Sequence, residues 1–69
     1  MVQYESHLRQ YRRNAQLSQE ALARKLGVSR QTIVNIERGT NEPRVMLALG
    51  LATILGVAVA ELFRKESSK

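Results

Sequence analysis

At 69 residues the chain has room for one domain, and a chain this short buries only about 60% of its unfolded surface, leaving little for a deep catalytic cleft. It has no cysteine and a single histidine, His7, which excludes disulfide staples, thiolate sites and a zinc cluster; no metal or other cofactor is expected. The formal net charge of +5 points to an anionic partner, and most of the basic residues (Arg9, Arg12, Arg13, Arg24, Lys25, Arg30 and Arg38) precede Pro43.

The first ten residues, MVQYESHLRQ, contain neither an apolar signal core nor a small-residue cleavage site, so the expected location is cytoplasmic. Tyr4, Leu8, Tyr11 and Ala15 recur at helical spacing and predict a first helix from about Gln3 to Asn14, with both tyrosines in the core or at its rim and His7 on the exposed face. Ser18 is a good N-cap for a second helix carrying Leu22, Ala23 and Leu26, and Glu20 suits the positive end of its dipole. Gly27 is placed to end that helix in a left-handed conformation. Val28 plugs the corner, Ser29 is a second N-cap, and a third helix runs to Arg38 before Gly39, with Ile33 and Ile36 facing inward. A turn this short makes the two helices cross steeply, and Ala23 is small enough for close approach. The geometry is helix-turn-helix.

With the isoleucines inward, Gln31, Asn35 and Arg38 fall at i, i+4 and i+7 on the opposite face, with Val34 beside them and Arg30 at the exposed N-terminal end. Amides pair in a bidentate way with adenine, arginine with guanine, and apolar side chains with a thymine methyl, all in a major groove wide enough for a helix. Any one of these residues alone reads as ordinary solvated helix surface. Together with the turn they point to double-stranded DNA.

GTNEPR, residues 39–44, is a polar loop, after which residues 45–60 carry no formal charge. The run is shorter than the roughly 20 apolar residues a membrane span requires and is broken by Gly50, Thr53 and Gly56. It predicts a fourth helix over Val45 to Leu55, a turn at Gly56 and Val57, and a fifth helix from about Val59 to Arg64. The fold class is therefore all-α, a compact five-helix domain over residues 1–64, with 65–69 as a short mobile tail. Six acidic residues and one histidine assemble no recognisable catalytic constellation, and a glycine-rich phosphate loop is absent, so the expectation is a binding module rather than an enzyme.

From Leu8 to Phe63 the chain resembles the Cro/repressor-type helix-turn-helix proteins, the class that includes lambdoid phage repressors. The resemblance is carried by Leu8 and Arg12, by Leu17-Ser18-Gln19-Glu20 with Leu22-Ala23, by Gly27 through Ile33, and by Ile36-Glu37-Arg38-Gly39 before Pro43. It implies that Gln19, Arg38 and Arg44 contact phosphates, that Arg30, Gln31, Thr32 and Asn35 reach base edges, and that Arg12 and Glu37 form a partly buried ion pair tying helix one to helix three. Arg44 and Ala58 depart from the family pattern by replacing helix caps, so helices four and five should start less firmly.

Met46, Leu47, Gly50 and Ile54 are apolar where the family is commonly polar, while Val45, Ala48, Leu49, Ala52 and Leu55 already supply a core face. The surplus predicts a two-fold homodimer through Met46, Leu47, Gly50 and Ile54 together with Val57 and Val59; the alternative is that Leu47 and Ile54 enlarge the monomer core. The expected function is a transcriptional regulator, most simply a repressor on an inverted-repeat operator, with no small-molecule ligand and no membrane partner. An antitoxin or restriction-modification controller of the same fold, and an interaction module that has lost DNA binding, remain open. A membrane-surface protein requires basic and apolar faces on one helix, and here they lie on different helices.

Overall fold

The computed structural model describes residues 4–40 and 42–65; of the expected tail, 65–69, only Lys65 is among them, and it belongs to a strand. The elements are β1 (Tyr4–Ser6), α1 (Leu8–Asn14), α2 (Gln19–Leu26), α3 (Arg30–Arg38), α4 (Val45–Leu55), α5 (Val59–Leu62) and β2 (Phe63–Lys65). All five expected helices are present, and the middle three have the expected bounds.

Local chemistry accounts for those bounds. The Ser18 hydroxyl accepts from the Ala21 N–H at 2.9 Å, and that of Ser29 from the Thr32 N–H at 3.2 Å, satisfying donors that the first turns of α2 and α3 leave open. Gly27 and Gly39 end these helices at φ 71° and 75°, a region costly for a residue with a Cβ. Between α1 and α2 the same region is occupied by Gln16, at φ 61°, with no glycine to relieve it. As their cap positions suggested, α4 and α5 have no side-chain cap at Arg44 or Ala58. Glu61 compensates in part by accepting from the Ala58 N–H at 2.9 Å.

The two ends of the chain differ from expectation. Tyr4–Ser6 is a strand rather than the first turn of helix one, and the fifth helix stops at Leu62, where Phe63 turns extended at φ −131° and ψ 118°. These segments pair antiparallel, Tyr4 with Lys65, Glu5 with Arg64 and Ser6 with Phe63. The Tyr4 and Phe63 rings meet edge to face at 5.7 Å, a diagonal contact across the ladder. His7, expected on a helix face, instead precedes α1, half-buried, and its N–H donates to the Leu62 carbonyl at 2.7 Å. A tyrosine four residues before Leu8 fits a helical stripe and a short strand equally well; only a partner some sixty residues away decides between them.

Every helix contributes to the core: Leu8 from α1, Leu22 from α2, Ile33 and Ile36 from α3, Leu51 from α4 and Leu62 from α5 are fully buried. Each such side chain contributes about 1.5–3 kcal/mol relative to exposure. Ala23 is buried between α2 and α3, which pack extensively against each other. In α4, Ala48, Leu51 and Ala52 face the core, and Leu47, Ile54 and Leu55 pack against it half-buried. Gly50 lies against α2, where an added Cβ would stand 2.9 Å from Leu26 Cδ2. Val45 and Leu49, expected in the core face, are instead 73% and 48% exposed, and Met46 beside them is 77% exposed. Among the described residues no helix is long and apolar enough to cross a membrane.

Candidate nucleic-acid interface

The inward anchoring of α3 through Ile33 and Ile36 turns its remaining side chains outward in two adjacent rows. Arg30, Val34 and Arg38 form one row, at i, i+4 and i+8, along a recess of about 450 Å³ that also takes in Arg9 and Arg12 from α1, Gln19 from α2, and Glu37. Gln31 and Asn35 form the other, beside a groove lined by Thr32, Asn35, Glu42, Pro43 and Arg44. Arg30, Gln31, Arg38 and Arg44 are exposed, while Asn35 and Thr32 are half-buried. The Thr32 hydroxyl lies 2.9 Å from that of Ser29, at the start of the helix.

At the floor of the arginine-lined recess sits a closed polar cluster. Arg12 Nε donates to Glu37 Oε2, and the two side chains are only 11% and 7% exposed. A second guanidinium nitrogen, Arg12 Nη1, donates to the Leu17 carbonyl at 2.8 Å, while Gln19 Nε2 donates to Glu37 Oε1 at 3.0 Å. One carboxylate from α3 thus holds α1 through Arg12 and the first residue of α2 through Gln19. Its charge is matched by Arg12, whereas no ion pair to Arg9, Arg30 or Arg38 is seen among the described residues. The recess therefore carries an excess of positive charge beside the exposed row of α3. Arg9 entered the sequence reading only as part of the net charge; its spacing of three residues from Arg12 on one helix was the signal that it shares this face.

The other end of α3 is held by the ribbon. Tyr4 Oη donates to the Ile36 carbonyl at 3.4 Å, and the Tyr4 carbonyl lies 3.6 Å from where a Cβ on Gly39 would stand. The Tyr4 phenol titrates above its ordinary value because burial disfavours the phenolate, with the nearby Glu42 carboxylate adding to the effect. The predicted site residues thus divide by place: Gln19, Arg30, Gln31, Thr32, Asn35 and Arg38 gather around α3, Arg44 flanks them at the N-terminal end of α4, and Arg12 with Glu37 forms the brace beneath. Of the predicted interface residues, Met46 is exposed, Gly50 faces α2, and Leu47, Ile54, Val57 and Val59 are half-buried against the core.

Helix α3 held against α2 across the Gly27 corner defines a helix-turn-helix domain. The chain belongs to the helix-turn-helix family, whose model matches residues 8–62. It is 45% identical over 62 residues to an uncharacterized HTH-type transcriptional regulator of Methanocaldococcus jannaschii, covering 90% of this chain and 94% of that one. It is 36% identical over 59 residues to the cryptic phage CTXphi transcriptional repressor RstR of Vibrio cholerae, covering 86% of this chain but only 53% of the repressor. Among solved structures, the restriction-modification controller protein C.AhdI of Aeromonas hydrophila superposes with a TM-score of 0.71 at 37% identity, covering 78% of each chain.

Proposed function

We propose that this protein is a sequence-specific double-stranded DNA-binding regulator of transcription that works inside the cell by binding rather than catalysis. The observation that carries the reading is the outer face of α3, where exposed Gln31 and half-buried Asn35 stand beside arginines that no carboxylate engages among the described residues. Gln19, Arg38 and Arg44 are assigned to phosphates, which position the domain, and Arg30, Gln31, Thr32 and Asn35 to base edges, which specify the site. The Arg12–Glu37 pair fixes the angle at which α3 is presented. The similarity to a phage repressor supports repression by occlusion of a promoter, and the similarity to C.AhdI supports the second reading, a controller within a two-gene system. A neighbouring nuclease or methyltransferase gene would decide for the latter.

A single recognition helix spans only a few base pairs, so the proposal includes a two-fold homodimer reading an inverted repeat with half-sites about 34 Å apart. Its interface is placed on exposed Val45, Met46 and Leu49 with Val59 and Phe63 next to them, because Leu47, Gly50 and Ile54 are turned toward the protein's own core. Selection from a random duplex pool tests the reading. An enriched inverted repeat is expected, and a pool that stays random through successive rounds contradicts it.

A further inference from the structure

The two amides on the outer face of α3 are joined: Gln31 Nε2 donates to Asn35 Oδ1 at 3.1 Å, one helical turn apart. Asn35 is the more fixed of the two, being half-buried beside the groove that leads to Arg44, whereas Gln31 is exposed. We infer that Gln31 and Asn35 read DNA as one locked unit, in which Asn35 holds the Gln31 amide for an adenine while its own amide nitrogen donates to the acceptor edge of a neighbouring guanine or thymine. The inference rests on the reading of α3 as the DNA-facing helix and names the bases that face it.

The argument is an inventory of protons and lone pairs. A glutamine reads adenine with its carbonyl oxygen, which accepts from N6, and with the amide proton on the same edge, which donates to N7. The second amide proton points away from that edge and is the one available to Asn35. Gln31 therefore keeps its whole adenine-matching edge while bonded to its neighbour. Asn35 is changed by the same bond. Its carbonyl oxygen already accepts from Gln31 and keeps one lone pair on the side of that bond, whereas both protons on Nδ2 remain to donate, so donation is its larger free capacity. Guanine and thymine offer acceptors alone at the atoms such a donor meets, N7 and O6 or O4. The bond also removes side-chain freedom from Gln31 before DNA arrives, lowering the ordering cost that an unbraced glutamine meets on binding.

The test is competition binding with a duplex selected by the wild-type protein, changing each half-site position to all four bases. The wild-type protein should prefer adenine at one position and guanine or thymine at an adjacent one, by roughly tenfold or more each. Gln31→Ala should abolish the adenine preference. Asn35→Ala should flatten both positions, because the brace is lost with the reader. Asn35→Asp keeps an oxygen for Gln31 but loses both donors, so the adenine preference should persist while the adjacent position turns toward cytosine, whose N4 protons a carboxylate accepts. Both side chains lie at the surface, and unchanged melting curves verify that the variants fold. A full adenine preference in Asn35→Ala, or a selective wild-type protein that prefers other bases at these positions, overturns the locked unit while leaving DNA reading intact. A wild-type protein indifferent to every sequence overturns both.

Discussion

Helices α3 and α4 both leave surface without a partner among the described residues, and the chemistry of the two surfaces is opposite. Helix α3 buries Ile33 and Ile36 and shows amides and arginines on its other side; α4 buries Ala48, Leu51 and Ala52 and shows Val45, Met46 and Leu49. The first surface suits a polyanion with hydrogen-bonding edges, the second another apolar surface. A domain this small has few elements, and the proposed function gives each of these two helices one side for the core and the other for a separate partner.

The largest effect is expected where α3 is fastened. Glu37→Ala leaves the Arg12 guanidinium buried without its carboxylate and releases Gln19, and should lower the unfolding free energy by about 3–5 kcal/mol in urea titration. Replacing Arg12 and Glu37 together by apolar residues of similar volume should cost much less. Equal losses in the single and double variants would mean that the brace acts through packing rather than charge. On α4, Met46→Glu combined with Leu49→Lys should yield folded monomers by ultracentrifugation with thermal stability retained at the monomer level. Unfolding would instead assign that face to the core.

The two helices also differed in how plainly their sequences announced them. Caps at Ser18 and Ser29 and the glycines at 27 and 39 are local signals, so the bounds of α2 and α3 and the outward placement of Gln31 and Arg38 follow from neighbouring residues alone. Helix α4 is apolar almost all round, which removes the periodicity that would say which side faces in; the residues alone therefore put Val45 and Leu49 in the core face and Gly50 outside it, and leave Leu47 and Ile54 open between interface and core. The ribbon was hidden for another reason. Its hydrogen bonds join Tyr4–Ser6 to Phe63–Lys65, and strands of three residues are too short to show alternation. The Arg12–Glu37 pair was legible only through family resemblance, since no local rule brings together residues 25 apart.

Smaller effects sharpen the contrast further. Arg38→Ala should reduce the slope of log K against log salt by about one without altering base preference, as loss of one phosphate contact requires. An unchanged slope would move Arg38 off the phosphate-contacting side of α3. Gln16→Gly relieves a left-handed residue in the turn before α2 and should raise stability by up to about 1 kcal/mol, read as a higher melting temperature. A lower melting temperature would show that the Gln16 side chain contributes more than its conformation costs. Smallest is a pH effect at the ribbon. The folded protein holds the Tyr4 phenol above the unfolded value of 10.0, so the folded state binds the proton more tightly; this contribution is fully present below that pH and is lost as pH rises through the folded value. Tyr4→Phe should make the melting temperature fall less steeply between about pH 9 and 11; an identical slope in the two proteins would remove Tyr4 as its source.

The central claim is that DNA meets the outer face of α3, and the most direct test is an NMR titration of the labelled protein with its selected duplex. The account predicts that backbone signals of Arg30 to Arg38 and the side-chain amides of Gln19, Gln31 and Asn35 shift strongly while those of Val45 to Leu49 hold still. Shifts confined to α4, with the α3 amides unmoved at saturating duplex, would contradict it.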